Sequence, residues 1–177
     1  MNKIEVNIKS AIMDVHDYPK PGIIYKDITP IFQNAVLSNS ILDELVDKCR
    51  NAGIEGVAGL ESRGFLFGMP LALRLGVPFI LMRKKDKLPR ARHSMSYELE
   101  YGHNVIEMHT DAISVGQRIH IHDDVLATGG TAAAAGRLVE LAGGQVAGFS
   151  FLTELEFLKG RNALTQFSGS ILTLATY

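Results

Sequence analysis

The sequence has 177 residues, enough for one domain with a sizeable core. Apolar residues make up 46% and charged residues 21%, and the formal net charge of -1 gives no global field for nucleic acid or an anionic membrane, so any anion site has to be local. Cys49 is the single cysteine, which excludes an internal disulfide and fits a reducing compartment. No apolar run reaches the ~18 residues of a membrane span. The opening MNKIEVNIKS lacks the apolar core of a signal peptide, so a cytoplasmic protein is expected.

Ile4, Ile8, Ile12 and Val15 recur at near-helical spacing and predict a first helix. It stops at Tyr18-Pro19-Lys20-Pro21-Gly22, a turn no helix continues through. A second helix is predicted over 40–51, with Ile41, Leu42, Leu45, Val46 and Cys49 inward and Gly53 closing it. The run 54–60 reads as a strand buried on both faces, ESRG (61–64) as a turn, 65–76 as a helix and 77–82 as another buried strand. Six basic residues and one acid crowd 83–92. Strands are expected near 95–101, 104–109 and 118–124, then a loop entering an alanine-rich helix over 127–144, then strands over 145–155 and 170–176. Gly136 inside that helix implies close packing against a neighbour. Strand–loop–helix units in succession predict an α/β fold with a mainly parallel sheet, whose ligands bind beyond the carboxyl ends of the strands. Three loops are singled out by that rule: 61–64, 83–93 and 123–131.

HDDVLATGGT (122–131) is the most informative of these segments. Gly129 and Gly130 can take positive φ and let backbone approach a ligand, Thr128 and Thr131 carry hydroxyls, and the helix behind presents unpaired N–H groups at the positive end of its dipole. This is a phosphate cradle without a lysine, neither a Walker loop nor a dinucleotide fingerprint. Asp123 and Asp124 precede it at the strand end, where carboxylates can accept hydrogen bonds from sugar hydroxyls. A ribose phosphate therefore suits the segment better than free phosphate. His120 and His122 share one strand face, as a metal pair or as neutral hydrogen-bonded histidines.

DDVLATGGT resembles the ribose-phosphate signature of type I phosphoribosyltransferases. PGIIYKDITP (21–30), GLESRGFLFG (59–68), RKKDKLP (83–89) and SYELEYG (96–102) resemble the adenine branch of that family, in its order and spacing, and the likeness extends through LKGR (158–161). It implies a five-stranded, mainly parallel sheet flanked by helices, within a single domain over 1–177. A small hood is expected from about 1–35 plus C-terminal elements, and a flexible lid over about 87–100 with Gly102 as hinge. The implied reaction joins adenine to phosphoribosyl pyrophosphate, giving AMP and pyrophosphate, in a magnesium-dependent homodimer. By that likeness Ala127, Thr128, Gly129, Gly130 and Thr131 hold the 5-phosphate, and Asp123 and Asp124 face the ribose hydroxyls. Arg63, Arg83, Lys84 and Lys87 take the pyrophosphate side, and Glu100 is the catalytic acid with Tyr101 beside it. Tyr25 stacks on adenine, Leu155 covers the opposite ring face, and Ile24 and Lys26 offer backbone hydrogen bonds to the base edge. Lys26 stands where many members carry arginine, and so lacks the bidentate fork.

The chemistry suits these residue types. Displacing pyrophosphate from an anomeric carbon builds positive charge on the sugar and negative charge on the leaving group, which calls for electrostatic preorganisation. Magnesium is expected through substrate oxygens and water rather than a protein cage. The basic 83–92 stretch lacks the interleaved aromatics of an RNA-binding surface. Two other readings stay open at this point: a sibling enzyme for xanthine, hypoxanthine or guanine, and a non-catalytic regulator that binds phosphoribosyl pyrophosphate.

Overall fold

A computed structural model describes residues 2–99 and 102–177. Chain order gives α1 (Lys3–Ala11), β1 (Met13–His16), β2 (Ile24–Asp27), α2 (Thr29–Gln33), α3 (Ala35–Cys49), β3 (Gly56–Leu60), α4 (Gly64–Leu75) and β4 (Phe79–Lys84). It continues with β5 (Arg92–Leu99), β6 (Gly102–His109), β7 (Arg118–Leu126), α5 (Gly130–Leu141), β8 (Gln145–Glu154), two short 3-10 turns (Glu156–Leu158 and Gly160–Ala163) and β9 (Ile171–Thr176). The main sheet runs β5-β6-β4-β3-β7-β8-β9. Its five strands β4-β3-β7-β8-β9 are mutually parallel, and the β5–β6 ribbon adds to the β4 edge antiparallel. The expected five-stranded parallel sheet is therefore present, extended by a ribbon that takes up much of the segment read as a lid.

Alternation along the strands divides the core in two. Ile119, Ile121, Phe149 and Phe151 face the layer filled by Ala132–Ala135, Leu138 and Val139 of α5. Val57, Leu152, Leu174 and Ala175 face the layer filled by α1, α3 and α4. Each wholly buried Leu, Ile or Phe stabilises the fold by roughly 1.5–3 kcal/mol, so the small residues of α5 serve close approach rather than bulk. Gly136 meets Phe167 in this way: a Cβ there would lie 3.0 Å from its ring.

Two elements begin or end differently from the sequence expectation. The first helix stops at Ala11, and Ile12 is already extended (φ -72, ψ 132). Val15 lies on β1, opposite Tyr25 of β2. Asp17, at φ 58, accepts the Gly22 N–H on its carboxylate at 2.7 Å and closes the turn, so strand pairing overrides the helical spacing. α3 starts five residues earlier than predicted, because Asn34 caps it by accepting the Leu37 N–H at 3.0 Å. None of the helices among the described residues is long and apolar enough to cross a membrane.

Candidate active site

All five parallel strands point their carboxyl ends to one edge, which brings the segments after β3, β4, β7 and β8 together. A cleft of about 460 Å³ opens there. Of the residues singled out in the sequence, Tyr25, Arg63, Lys84, Asp123, Asp124 and Thr131 line it. Glu61 and Ser62, from the 61–64 loop singled out in the sequence, line it as well, as do Tyr97 and Asn104, which were not anticipated. Tyr97 and Asn104 are cross-strand partners on the β5–β6 ribbon, which read as ordinary alternating strand in the sequence. Glu100, with Tyr101, lies outside the described residues.

Arg63 is the hub. Its Nη1 donates to the Tyr25 hydroxyl, its guanidinium carbon lies 5.7 Å from the Tyr25 ring centroid, and its Nε sits 2.9 Å from Asp124 Oδ2. The last contact is an ion pair by distance but is not aligned as a hydrogen bond, so Oδ2 is buried with no hydrogen-bond partner among the described residues. Tyr18 packs edge-on against Tyr25, ring centroids 5.2 Å apart at 73°. Gly64 lets the Arg63 turn seat on β7: a Cβ there would lie 2.7 Å from the His122 carbonyl oxygen and 3.0 Å from Asp123 Oδ1.

The two aspartates close β7. Asp124 is buried, and its N–H donates to Asp123 Oδ1 at 2.9 Å. Burial, then the adjacent Asp124 charge, raises the Asp123 carboxyl well above the ordinary carboxylate range. Burial raises Asp124 too, with Arg63 opposing. The site therefore holds two carboxyls that resist ionising together, beside one cation.

Past Leu126 the chain turns into α5 through Gly129 (φ 82, ψ -1), with neither a side-chain cap nor an acid in the first turn. The first-turn amides have no partner within the helix and face the edge where Thr131 meets the cleft. The turn is braced from behind by the 3-10 segment. A Cβ on Gly129 would lie 2.4 Å from the Gly160 carbonyl oxygen, and one on Gly160 would lie 2.2 Å from that of Ala127. Arg161 ties this brace to the sheet. Its Nε donates to Glu154 Oε1 and its Nη2 to Oε2, each at 2.8 Å, while Nη1 reaches the Ile171 carbonyl at 3.0 Å. Glu154 is only 3% exposed, so it depends on this partner. Sequence reading missed Glu154, Arg161 and Gly160 as parts of one brace.

The remaining expectations divide. Lys84 lines the cleft, but Arg83 is turned away. Its Nε and Nη2 each donate to Glu61 at 3.2 Å, and Nη1 donates to the Lys87 carbonyl at 3.1 Å. Burial would raise the Glu61 carboxyl, but the hydrogen bonds from Arg83 and the Lys84 N–H, with the charges of Arg83 and Lys87, hold it below its ordinary value. Arg92 pairs with Asp86 at 2.9 Å and with buried Glu107 at 3.0 Å, and Glu107 also accepts the Asp86 N–H at 3.0 Å. Much of the basic stretch is thus pinned by acids: Glu61, Asp86 and Glu107. Ile24, Lys26 and Leu155 do not line the cleft; the Leu155 N–H donates to the Leu126 carbonyl at 2.9 Å. Lys26 pairs with Asp14 at 2.6 Å.

His120 Nε2 and His122 Nδ1 each lie 2.8 Å from Ser150 Oγ, and Cys49 Sγ lies 3.7 Å from His120 Nε2. Desolvation lowers His120 to about 4 and His122 to about 3, the latter helped by the charge of His120, so both are neutral near pH 7. The neutral hydrogen-bonded reading of this pair is the one the geometry gives.

An acid pair at a strand end, an uncapped glycine turn behind it and an arginine on the neighbouring loop describe a site for a sugar phosphate with an anionic substituent. The family model described as the phosphoribosyl transferase domain matches residues 26–154, and the chain belongs to that family. Within it, the similar relatives include adenine phosphoribosyltransferases. The chain is 51% identical over 172 residues to that of Thermosynechococcus vestitus, covering 97% of this chain and 100% of the relative. The crystal structure of adenine phosphoribosyltransferase from Thermoanaerobacter pseudethanolicus superposes with a TM-score of 0.93 at 46% identity, over 97% of this chain and 99% of that one. The Saccharomyces cerevisiae enzyme, complexed with an imino-altritol bisphosphate and adenine, superposes with a TM-score of 0.90 at 40% identity, over 98% of this chain and 99% of that one.

Proposed function

We propose that this chain transfers the phosphoribosyl group of phosphoribosyl pyrophosphate to adenine, releasing AMP and pyrophosphate, in purine salvage. The observation that carries the reading is the Arg63 hub, which joins an aromatic wall, an acid pair and a leaving-group side within one cleft. Full-length likeness to adenine phosphoribosyltransferases supports adenine over a 6-oxopurine. A pocket built for one exchange of donor and acceptor on the base edge rejects the other by on the order of 10⁴-fold.

The residues act as follows. The amides of 127–131, with the hydroxyls of Thr128 and Thr131, bind the 5-phosphate at the positive end of α5. Asp123 and Asp124 accept the ribose hydroxyls and stabilise the cationic sugar that forms as the glycosidic bond to pyrophosphate breaks. Arg63, Lys84 and Lys87 receive charge on the departing pyrophosphate, while Arg83 fixes Glu61 and with it the 61–64 turn. Tyr25 and Leu155 cover the two faces of the base, and backbone groups of Ile24 and Lys26 meet its edge. Glu100 shares the proton lost by the base nitrogen or stabilises the sugar cation. Magnesium fits this donor set. No group of three metal-ligating side chains gathers among the described residues, so the ion would take most ligands from substrate and water beside the acid pair. When bound, it supplies neutralisation of the pyrophosphate charge.

The whole chain acts as a single domain with the N-terminal elements as hood, in the cytoplasm, as a homodimer. The dimer is supported by Leu66, Met69 and Leu73, which are exposed along one stripe of α4, and by exposed Leu81. Pyrophosphate release measured with adenine, hypoxanthine, guanine and xanthine, with and without magnesium, tests the reaction. Turnover of a 6-oxopurine in preference to adenine would overturn the assignment. Light scattering of the eluted protein tests the dimer.

A further inference from the structure

The two walls that would hold the base come from distant parts of the chain, β2 on one side and the segment after β8 on the other. One residue touches both. The Tyr177 N–H donates to the Glu154 carbonyl at 2.8 Å, and its own carbonyl accepts from the Glu156 N–H at 2.9 Å. These two bonds bracket Leu155. The Tyr177 ring lies under Lys26, whose Nζ is 4.6 Å from the ring centroid, and Lys9 Nζ approaches the same ring at 5.3 Å. Lys26 is held from its other side by Asp14 at 2.6 Å, its cross-strand partner on β1, and Lys9 is held by Glu5 at 2.8 Å. Each cation over the ring thus carries its own counter-ion, which relieves the repulsion between them. The Tyr177 hydroxyl is buried and has no hydrogen-bond partner among the described residues, so the ring face, not the hydroxyl, makes the contact.

We propose that Tyr177 is a positioning residue for the nucleobase: it staples the Lys26 wall to the Leu155 wall, through a cation–π contact on one side and paired backbone hydrogen bonds on the other. The inference rests on the reading of Ile24–Lys26 and Leu155 as the base pocket. It also gives Lys26 a role that needs no bidentate fork. A compact ammonium fits between the Asp14 carboxylate and an aromatic face, and it fixes the height of β2 rather than contacting the base through its side chain.

The test is steady-state kinetics on the whole protein, varying adenine and phosphoribosyl pyrophosphate separately. Tyr177→Leu keeps the backbone bonds and removes the ring. It is expected to raise KM for adenine about fivefold, the scale of one cation–π contact, with KM for phosphoribosyl pyrophosphate within about twofold. Tyr177→Phe keeps the ring and is expected to match wild type. Equal changes in both KM values, or a Phe variant as impaired as the Leu variant, would overturn the proposal. Lys26→Met reads the same contact should Tyr177→Leu not fold, and is expected to raise KM for adenine alone; an unchanged KM would also overturn it. Wild-type protein that does not turn over adenine at all would sink the parent reading instead. Amide exchange then decides the staple: faster exchange at Ile24–Lys26 in Tyr177→Leu sustains it, and unchanged exchange refutes it.

Discussion

Gly160→Ala places one methyl group between the brace and the phosphate turn. Gly160 lacks the left-handed φ that would penalise alanine, so the cost is steric rather than conformational. The added Cβ would stand 2.2 Å from the Ala127 carbonyl oxygen, 2.9 Å from Leu126 Cδ1 and 3.1 Å from the Gly129 nitrogen. Carbon and oxygen come no closer than about 3.3 Å without strain, so one side has to yield by about 1 Å. The brace is fixed to the sheet through Arg161 and Glu154, so the yielding side is the turn 127–130. A misplacement of about 1 Å in groups that position a reacting substrate costs on the order of 100-fold in rate, while overpacking costs the fold about 1–3 kcal/mol. Gly160→Ala is therefore expected to stay folded and to lose roughly two orders of magnitude in kcat/KM for phosphoribosyl pyrophosphate, with KM for adenine little changed. Continuous pyrophosphate release and urea melts measure both quantities. Gly22→Ala is the control: its φ of 84 strains alanine, but a Cβ there meets nothing within 4 Å, so only stability should fall. A folded Gly160→Ala enzyme with wild-type kinetics would refute the claim that this contact sets the phosphate turn.

Asp123 has a folded pKa raised above its unfolded value, so its stabilisation is present below about pH 4 and lost as pH rises. Asp123→Asn should therefore raise Tm at pH 7 in the absence of ligand while weakening phosphoribosyl pyrophosphate binding; a lower Tm would contradict the electrostatic account. His120 and His122 have folded values depressed to about 4 and about 3, so the fold loses stability as pH falls from about 6.5 through those values. His120→Gln combined with His122→Asn should flatten that slope in denaturant melts, and an unaltered slope would show that other groups control it. Glu100→Gln should lower turnover strongly with little change in substrate KM, and wild-type turnover would remove Glu100 from the mechanism. Arg161→Ala leaves the buried Glu154 carboxylate alone and should cost roughly 3 kcal/mol in urea melts; a loss below half of that would mean water replaces the guanidinium.

The parallel sheet was legible because 54–60 and 77–82 are short, mostly apolar runs of the kind a doubly covered strand carries, while 118–124 alternates Ile119 and Ile121 with histidines and ends in two acids. The glycine turn into α5 was legible for a different reason: two adjacent acids upstream of TGGT serve no packing purpose. The β1–β2 hairpin was not, since Ile4, Ile8 and Ile12 fit a helix and nothing local signals that Val15 pairs with Tyr25, ten residues further on. Glu107 and Glu154 look like solvent-facing strand positions, and only the distant Arg92 and Arg161 make them interior. Arg83 is the converse case. Its residue type and place in the motif suited an anion, yet Glu61 occupies it, because a carboxylate on the neighbouring parallel strand end lies within reach of the fork.

A chain of net charge -1 has to make its anion site from local arrangement, and this one does so by separating signs along a single strand-to-helix connection. Asp123 and Asp124 sit on the strand side, and the uncapped amides of α5 sit on the helix side. On the proposed reading, a ribose 5-phosphate laid across that connection would find acceptors for its hydroxyls at one end and donors for its phosphate at the other, so it would bind in only one direction. Reversed, phosphate would face two carboxyls. The same separation carries a cost: burial raises both acids, the Asp124 charge raises Asp123 further, and Arg63 pairs with Asp124 by distance without an aligned hydrogen bond. Full neutralisation within the protein would stabilise the fold but leave no field to orient the substrate. On the proposed reading, the strain at Asp123 and Asp124 is thus the same quantity that would fix the direction of the sugar.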